Sequence, residues 1–435
     1  MKSLIQLFIL ALVVISCSTS SPSLVISSDI DHFWEAYDKI QETSDTAMQK
    51  EFLQTLFLDR GTPGLSAIMQ ARRYTIDSYL DAIHDYPKFW ESMRPNMAKA
   101  KTLGPEIEEG IADFEKIYPQ LRPAKVYFTV GALRTNGTAM DSLVLIGSEL
   151  ALADETAVTE ELPSTFGHLR TYFDSNPIEN VVFLNVHEYV HTQQSTHGGY
   201  DLLSQCLFEG IAEFIPVIAT GQASPTPAIA YGKANDQAIQ AAFTKEMFSP
   251  FYNNWIWNSA DNIFGTRDLG YYVGYAIAEK YYEAATDKSK AIQALIELDF
   301  NDTLAIESFV DQVGYFESPI ADLKAAYEAS RPEVESISPL QNGSEKVDPN
   351  IEEFTITFSE SMNTQHRNFQ YGPKGEETVL GIQDFLGFSE DGKSVRLAIK
   401  MEPGQQYQIV VGEGFRTAAG VPLRPYLIDF RTAAD

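Results

Sequence analysis

The sequence predicts an α+β chain, with a mainly helical region carrying a small sheet and then an all-β sandwich. Three observations predict this. Apolar residues recur at helical spacing over residues 29–119 and again over residues 202–331. Two β-rich runs, residues 125–130 and 142–147, fall between them. After Pro332 short alternating runs recur, separated by turns such as Asp391-Gly392 and Pro403-Gly404.

The N-terminus reads as a targeting segment. Lys2 precedes an apolar stretch over residues 4–15, too short to span a bilayer as a helix. Val14-Ile15-Ser16-Cys17 resembles the bacterial lipobox, which implies removal of residues 1–16 and a lipid on Cys17. The alternative is an ordinary signal peptide with an incidental cysteine. Residues 17–28 then serve as a flexible Ser/Thr/Pro tether, and the folded chain starts near Asp29. With Cys17 lipidated, Cys206 has no partner among the two cysteines, so no intramolecular disulfide is expected. A net charge of −28 argues against nucleic acid and against docking on anionic lipid. No second apolar run is expected to be long enough to cross a membrane, which leaves the lipid as the membrane contact.

In the first helical stretch His32-Phe33-Trp34, Ala36-Tyr37, Ile40, Phe52, Leu56 and Phe57 follow a helical period. Gly61-Thr62-Pro63-Gly64 is a turn, and the aromatics of Pro87-Lys88-Phe89-Trp90 are read as core. Arg134-Thr135-Asn136-Gly137 is read as the turn between the two strands. In the last hundred residues the alternating runs are 351–358, 395–399, 407–411 and 427–430. The phrases Ser338-Pro339, residues 354–362 and Phe430-Arg431-Thr432 resemble the bacterial Ig-like domain of surface-layer and envelope proteins. The expected division is therefore a domain at 29–331 and a β-sandwich at 332–435.

The chemistry concentrates in His187-Glu188-Tyr189-Val190-His191. Histidines at i and i+4 lie on one helical face, where two imidazoles can hold one Zn²⁺. Glu188 can then reach a zinc-activated water as general base. Two candidates compete as third ligand. His197, six residues after His191, has the spacing of the metzincins, but Gln194 stands where that family's helix-breaking glycine belongs. Glu209, eighteen positions after His191, lies in Phe208-Glu209-Gly210-Ile211-Ala212-Glu213-Phe214, which resembles the second helix of the gluzincins. Gly210 and Ala212 are small enough to let that helix approach the histidine helix. Glu213, one turn beyond Glu209, can accept the free N–H of a ligand histidine. Cys206 is read as a buried core residue, and His32, His84, His168 and His366 lack ligand spacing.

Gly270-Tyr271-Tyr272-Val273-Gly274 resembles the Tyr-x-x-Gly of gluzincin aminopeptidases. The resemblance implies that Tyr271 faces the reaction centre as an oxyanion donor, with Arg267 as a second candidate; alternatively these tyrosines pack the helix. Such aminopeptidases also carry Gly-Ala-Met-Glu-Asn, whose glutamate binds the substrate's amino terminus. Gly131-Ala132-Leu133-Arg134 is the nearest echo here and carries arginine, which leaves endopeptidase or carboxypeptidase action open.

Together these segments resemble zinc peptidase-like lipoproteins of Bacteroidota, some of them linked by name to gliding motility, over roughly residues 120–290. The resemblance implies a zincin-like fold and a lipid-anchored zinc peptidase of the cell envelope acting on a peptide or protein. The rival readings are a non-catalytic envelope scaffold for a secretion or motility complex, and a binding lipoprotein that works through its C-terminal module.

Overall fold

Helices dominate up to Ser330 and strands from Val334 onwards in the computed structural model, which describes residues 23–195 and 198–434. The chain is α+β, as its periodicities predict. It divides into two compact units. One runs to Gln193 and includes Ile215–Gln222; the other comprises Gln194–Phe214 and the chain from Ala223.

The first unit is built on aromatic packing. Phe33, Tyr37, Phe57, Tyr79, Phe89 and Trp90 are each at most 1% exposed. Phe33 meets Trp90 with ring centroids 4.8 Å apart and Phe57 at 5.5 Å. The Trp90 indole donates to the Ala82 carbonyl at 2.9 Å, which settles its polar edge inside the core. The aromatics at 89–90 are thus core, as expected. Helix Pro63–Arg72 starts at a Thr62 cap with Pro63 at its first position. Thr62 Oγ1 also donates to the buried Asp29 at 2.6 Å.

Four strands form the small sheet: β1 (Val25–Ile26), β2 (Lys125–Thr129), β3 (Gly137–Met140) and β4 (Leu143–Gly147). Their order is β1-β2-β4-β3. β1 and β4 run parallel to β2, and β3 runs antiparallel to β4 on the outside. Val126, Phe128, Val144, Leu145 and Ile146 are fully buried, the reason β2 and β4 read as apolar runs. Two expectations are corrected. Val25–Ile26, inside the expected tether of residues 17–28, adds a strand beside β2, and Leu24 N–H bonds Glu108 at 2.8 Å; the β-branched pair suits a strand better than a leash. Gly137, read as part of a turn, opens β3.

A buried carboxylate went unread in the sequence. Glu149, fully buried just after β4, accepts the Gly131 and Leu133 N–H groups at 3.0 and 3.1 Å. It pins the 131–134 segment, where Leu133 takes a left-handed φ of 60°.

In the second unit, the antiparallel strands from Val334 form two sheets. β5 (Val334–Ser338), β6 (Glu353–Phe358), β8 (Gly381–Phe388) and β9 (Ser394–Lys400) lie in the order β5-β6-β9-β8. β7 (Phe369–Gln370), β10 (Gln406–Val411) and β11 (Tyr426–Arg431) lie in the order β11-β10-β7. Phe354, Ile356, Val395 and Leu397 from the first sheet share one core with Ile409, Val411, Ile428 and Phe430 from the second. Arg331 ties the preceding helix Ile320–Ser330 to this module. Its guanidinium, 8% exposed, bonds Glu413 at 2.7 Å, Glu328 at 3.0 Å and the Leu423 carbonyl at 2.6 Å.

Helix Leu202–Thr220 corrects the expectation of no second apolar run. By length and composition it is apolar enough to cross a membrane, and 78% of its window is buried within the protein.

Burial raises the Glu149 carboxyl above its ordinary value of 4.5. Such a group contributes stability fully below its unfolded pKa and loses it as pH rises through the folded pKa. Glu149→Gln is therefore expected to flatten the fall in stability above pH 4.5. Urea denaturation of both proteins across pH 4.5–8 checks this; parallel curves would refute it.

Candidate metal centre

The histidine helix, Val181–His191, is almost entirely buried, and its neighbours fix its position. Gly110 lets helix Ala100–Ile117 approach closely, since a Cβ there would stand 2.6 Å from Val182 Cγ1. Tyr189 Oη accepts the Ala124 N–H at 2.8 Å. Arg122 closes the helix C-terminus, its Nη2 donating to the Thr192 and Gln193 carbonyls at 2.7 Å each. A cation there satisfies orphan carbonyls and suits the negative end of the helix dipole.

On this helix His187 Nε2 and His191 Nε2 face each other 3.2 Å apart. Tetrahedral zinc with bonds of about 2.0–2.1 Å has ligand–ligand edges of about 3.3 Å. The pair is thus spaced as two corners of such a tetrahedron. Among the described residues, the Glu209 carboxylate completes a group with them in which all three ligand atoms lie within 4.8 Å of one another. Two imidazole nitrogens and one carboxylate oxygen, mostly buried, are a donor set that fits zinc and leaves a fourth position. His197, the competing ligand, lies outside the described residues, as does Cys17. No left-handed residue interrupts the chain at Gln194, whose side-chain amide instead donates to the Phe208 carbonyl at 3.0 Å.

Glu209 sits on helix Leu202–Thr220, whose start is capped by Asp201 accepting the Ser204 N–H at 2.8 Å. Gln205, one turn before Glu209, donates to it at 3.3 Å. Gly210 does not serve the expected approach to the histidine helix. A Cβ on it would overlap the backbone of Gly274 and Tyr275, so it faces helix Leu269–Ala284. Gly274 reciprocates against the Cys206 carbonyl. The small residues at 210 and 274 thus let these two helix backbones meet. Cys206 is buried, and burial raises its thiol pKa, in keeping with a core role.

That contact brings Tyr271 to Glu209. The Tyr271 hydroxyl bonds the Glu209 carboxylate and accepts the Trp257 indole N–H at 3.2 Å. Burial first, and the Glu209 charge second, push its pKa well above the ordinary value. Its proton is therefore directed at Glu209. Arg267 pairs with Asp268 at 2.7 Å, and burial raises that carboxyl against the pull of the guanidinium. Glu213, 3% exposed, accepts a hydrogen bond from Ser224.

Glu188 is 6% exposed and is backed by β3. A Cβ at Gly137 would stand 2.6 Å from Glu188 Oε1, so any side chain there would displace the Glu188 carboxylate. Gly137 is held by Asn136 Oδ1, which accepts its N–H at 2.9 Å, and by Thr135 Oγ1, which donates to its carbonyl at 2.5 Å. Arg72 in turn donates to Thr135 Oγ1 at 3.2 Å. The composition of 134–137 suggested a turn; nothing in it pointed to contact with Glu188.

Comparisons with known proteins add little. No family model matches the chain, and no curated protein matches it. Seven chains of solved structures match. One is the N-terminal part of the bacterial S-layer protein SbsC, at 15% identity over 93% of this chain and 69% of that one, with a TM-score of 0.19. Another is SbsC domains 1–6, at 14% identity over 93% of this chain and 45% of that one, TM-score 0.18. A third, rSbsC(31-844), has 14% identity over 66% of this chain and 39% of that one, TM-score 0.18. Likeness at this level carries no argument.

Metal analysis tests the ligand set. Wild type is expected to bind one zinc per chain, and His187→Ala or Glu209→Ala to lose most of it while keeping the wild-type circular dichroism. His197→Ala is expected to keep it. Loss in His197→Ala with retention in Glu209→Ala would assign the third ligand to His197.

Proposed function

We propose that the protein is a zinc-dependent peptidase of the gluzincin type, with His187, His191 and Glu209 as metal ligands and Glu188 as general base. The observation that carries this reading is the convergence of the three ligand atoms within 4.8 Å, beside a buried glutamate. When bound, zinc supplies Lewis acidity for a scissile carbonyl and for an attacking water. Glu188 takes one proton from that water as its oxygen attacks the carbonyl carbon. It then delivers the proton to the departing amine as the C–N bond breaks. Gly137 keeps β3 against Glu188 and so fixes the direction in which the carboxylate points. As the outer strand of its sheet, β3 also offers an edge along which an extended peptide can lie.

Tyr271 is assigned here to orienting Glu209, because its hydroxyl is bonded to that carboxylate. Arg267, paired with Asp268, is assigned to holding the chain entering helix Leu269–Ala284. Glu213 is kept as the residue that supports a ligand histidine. The sheet β1–β4 followed by the histidine helix supports a zincin-like fold, and the two sheets after Val334 support an Ig-like module. The envelope location rests on the leader and the Cys17 lipidation signal. Under this reading the lipid is the membrane contact, a peptide or protein is the substrate, and an envelope, motility or secretion complex is the setting.

The test is Glu188→Gln. The variant is expected to keep full zinc and to lose at least about 100-fold of the cleavage of a peptide library, the scale on which positioned acid–base catalysis contributes. A wild-type protein that binds zinc and cleaves nothing would support the scaffold reading. Deleting residues 333–435 should abolish any binding that belongs to the C-terminal module.

A further inference from the structure

Trp257 is 59% exposed, although Trp255 and Ile256 just before it are 3% and 1% exposed. Its φ of 55° lies in the left-handed region, where a bulky residue is strained. Strain of this kind persists only where the surroundings enforce it. Here they do. The Gly270 N–H bonds the Trp255 carbonyl at 2.8 Å, the Asp268 N–H bonds Asn258 Oδ1 at 2.7 Å, and Asn258 Nδ2 donates to the Asn254 carbonyl at 2.7 Å. The chain on both sides of Trp257 is therefore tied down, and the indole is held outward.

The orientation of the ring is informative. Its polar edge turns inward, with Nε1–H donating to Tyr271 Oη at 3.2 Å, and Tyr271 bonds Glu209. Its apolar body is left in solvent. Tyr252 stands against it at a centroid distance of 6.4 Å and an interplanar angle of 69°. The Tyr252 hydroxyl reaches the Gly199 carbonyl at 3.5 Å, next to Tyr200, which is 78% exposed. Along the chain the nearest charged residue is the exposed Asp261, and Arg267 and Asp268 further on pair with each other. An aromatic face held in place by its loop thus stands two hydrogen bonds from a candidate metal ligand.

We propose that Trp257 is a specificity-determining residue whose indole face, flanked by Tyr252, receives a large apolar or aromatic side chain of the peptide beside the bond to be cut. This rests on the peptidase reading above. Ring-on-ring packing at offset or edge-on geometry favours aromatic partners beyond the area they bury. The rigid loop removes the cost of ordering the platform on binding.

The test uses the full chain in a Glu188→Gln background, so that binding is read without turnover. Two end-blocked hexapeptides that differ only by Phe or Ala at one position are titrated by calorimetry. The Phe peptide is expected to bind about 10-fold tighter or more, the scale of one well-filled apolar pocket. Trp257→Ala should abolish that preference and Trp257→Phe should keep part of it, with zinc content unchanged in both. In the Glu188-containing protein, Trp257→Ala should cost Phe-containing substrates at least about 10 times more in kcat/KM than Ala-containing ones. A Phe preference that survives Trp257→Ala overturns the proposal. So does absence of peptide binding, or binding of an oligosaccharide in place of peptide. If wild type cleaves nothing while a Trp257-dependent Phe preference persists, the platform stands and the peptidase reading falls.

Discussion

Burying carboxylates is the constraint on which the rest of this structure depends. Glu188, Glu209 and Glu213 are 6%, 7% and 3% exposed. An ionised carboxylate removed from water without partners is severely destabilising. The fold answers with donors aimed at these groups: Gln205 and Tyr271 at Glu209, and Ser224 at Glu213. Under the proposed reading a divalent cation adds to these contacts, and binding it becomes part of the stability of the folded chain.

Much of this was legible in the sequence. The histidine spacing is covalent geometry wound onto a helix, and it survives any detail of packing. The Glu209 and Glu213 pair was legible because charged residues set among Leu207, Phe208, Ile211 and Phe214 cannot all face solvent. β2, β4, β6, β9, β10 and β11 carry β-branched or aromatic residues in runs or alternation, and each was visible. β3 was not. Its residues Gly137-Thr138-Ala139-Met140 are small and irregular, and what makes them a strand is the neighbouring β4. Glu149 was equally silent, since a carboxylate paired with backbone N–H groups leaves no trace in side-chain composition. Arg122 and Trp257 act through the carbonyls and hydroxyl they meet in three dimensions, which no spacing rule encodes.

The glycines show how far local reasoning reaches. That Gly210 marks a close helix contact followed from its size. Which helix it meets did not, because size says that something approaches and not what. The answer lies with Gly274, whose own missing side chain admits the Cys206 carbonyl. One backbone crossing thereby sets the position of Tyr271, three residues from Gly274. Gly137 works the same way against Glu188. Substituting any of these would move Glu188, or the helices that carry Glu209 and Tyr271, without altering those residues themselves.

Arg331 has a bearing on how this chain can change over time. A terminal module joined by a loose linker can be lost, duplicated or exchanged with little penalty to its neighbour. Here the joint contains an almost fully covered guanidinium with partners on both sides, Glu328 on the helix and Glu413 in the module. Removing the module strips away Glu413 and the Leu423 carbonyl and leaves a positive charge with one exposed partner. A graft of the C-terminal module or of the helix that precedes it must therefore also rebuild the seat of Arg331.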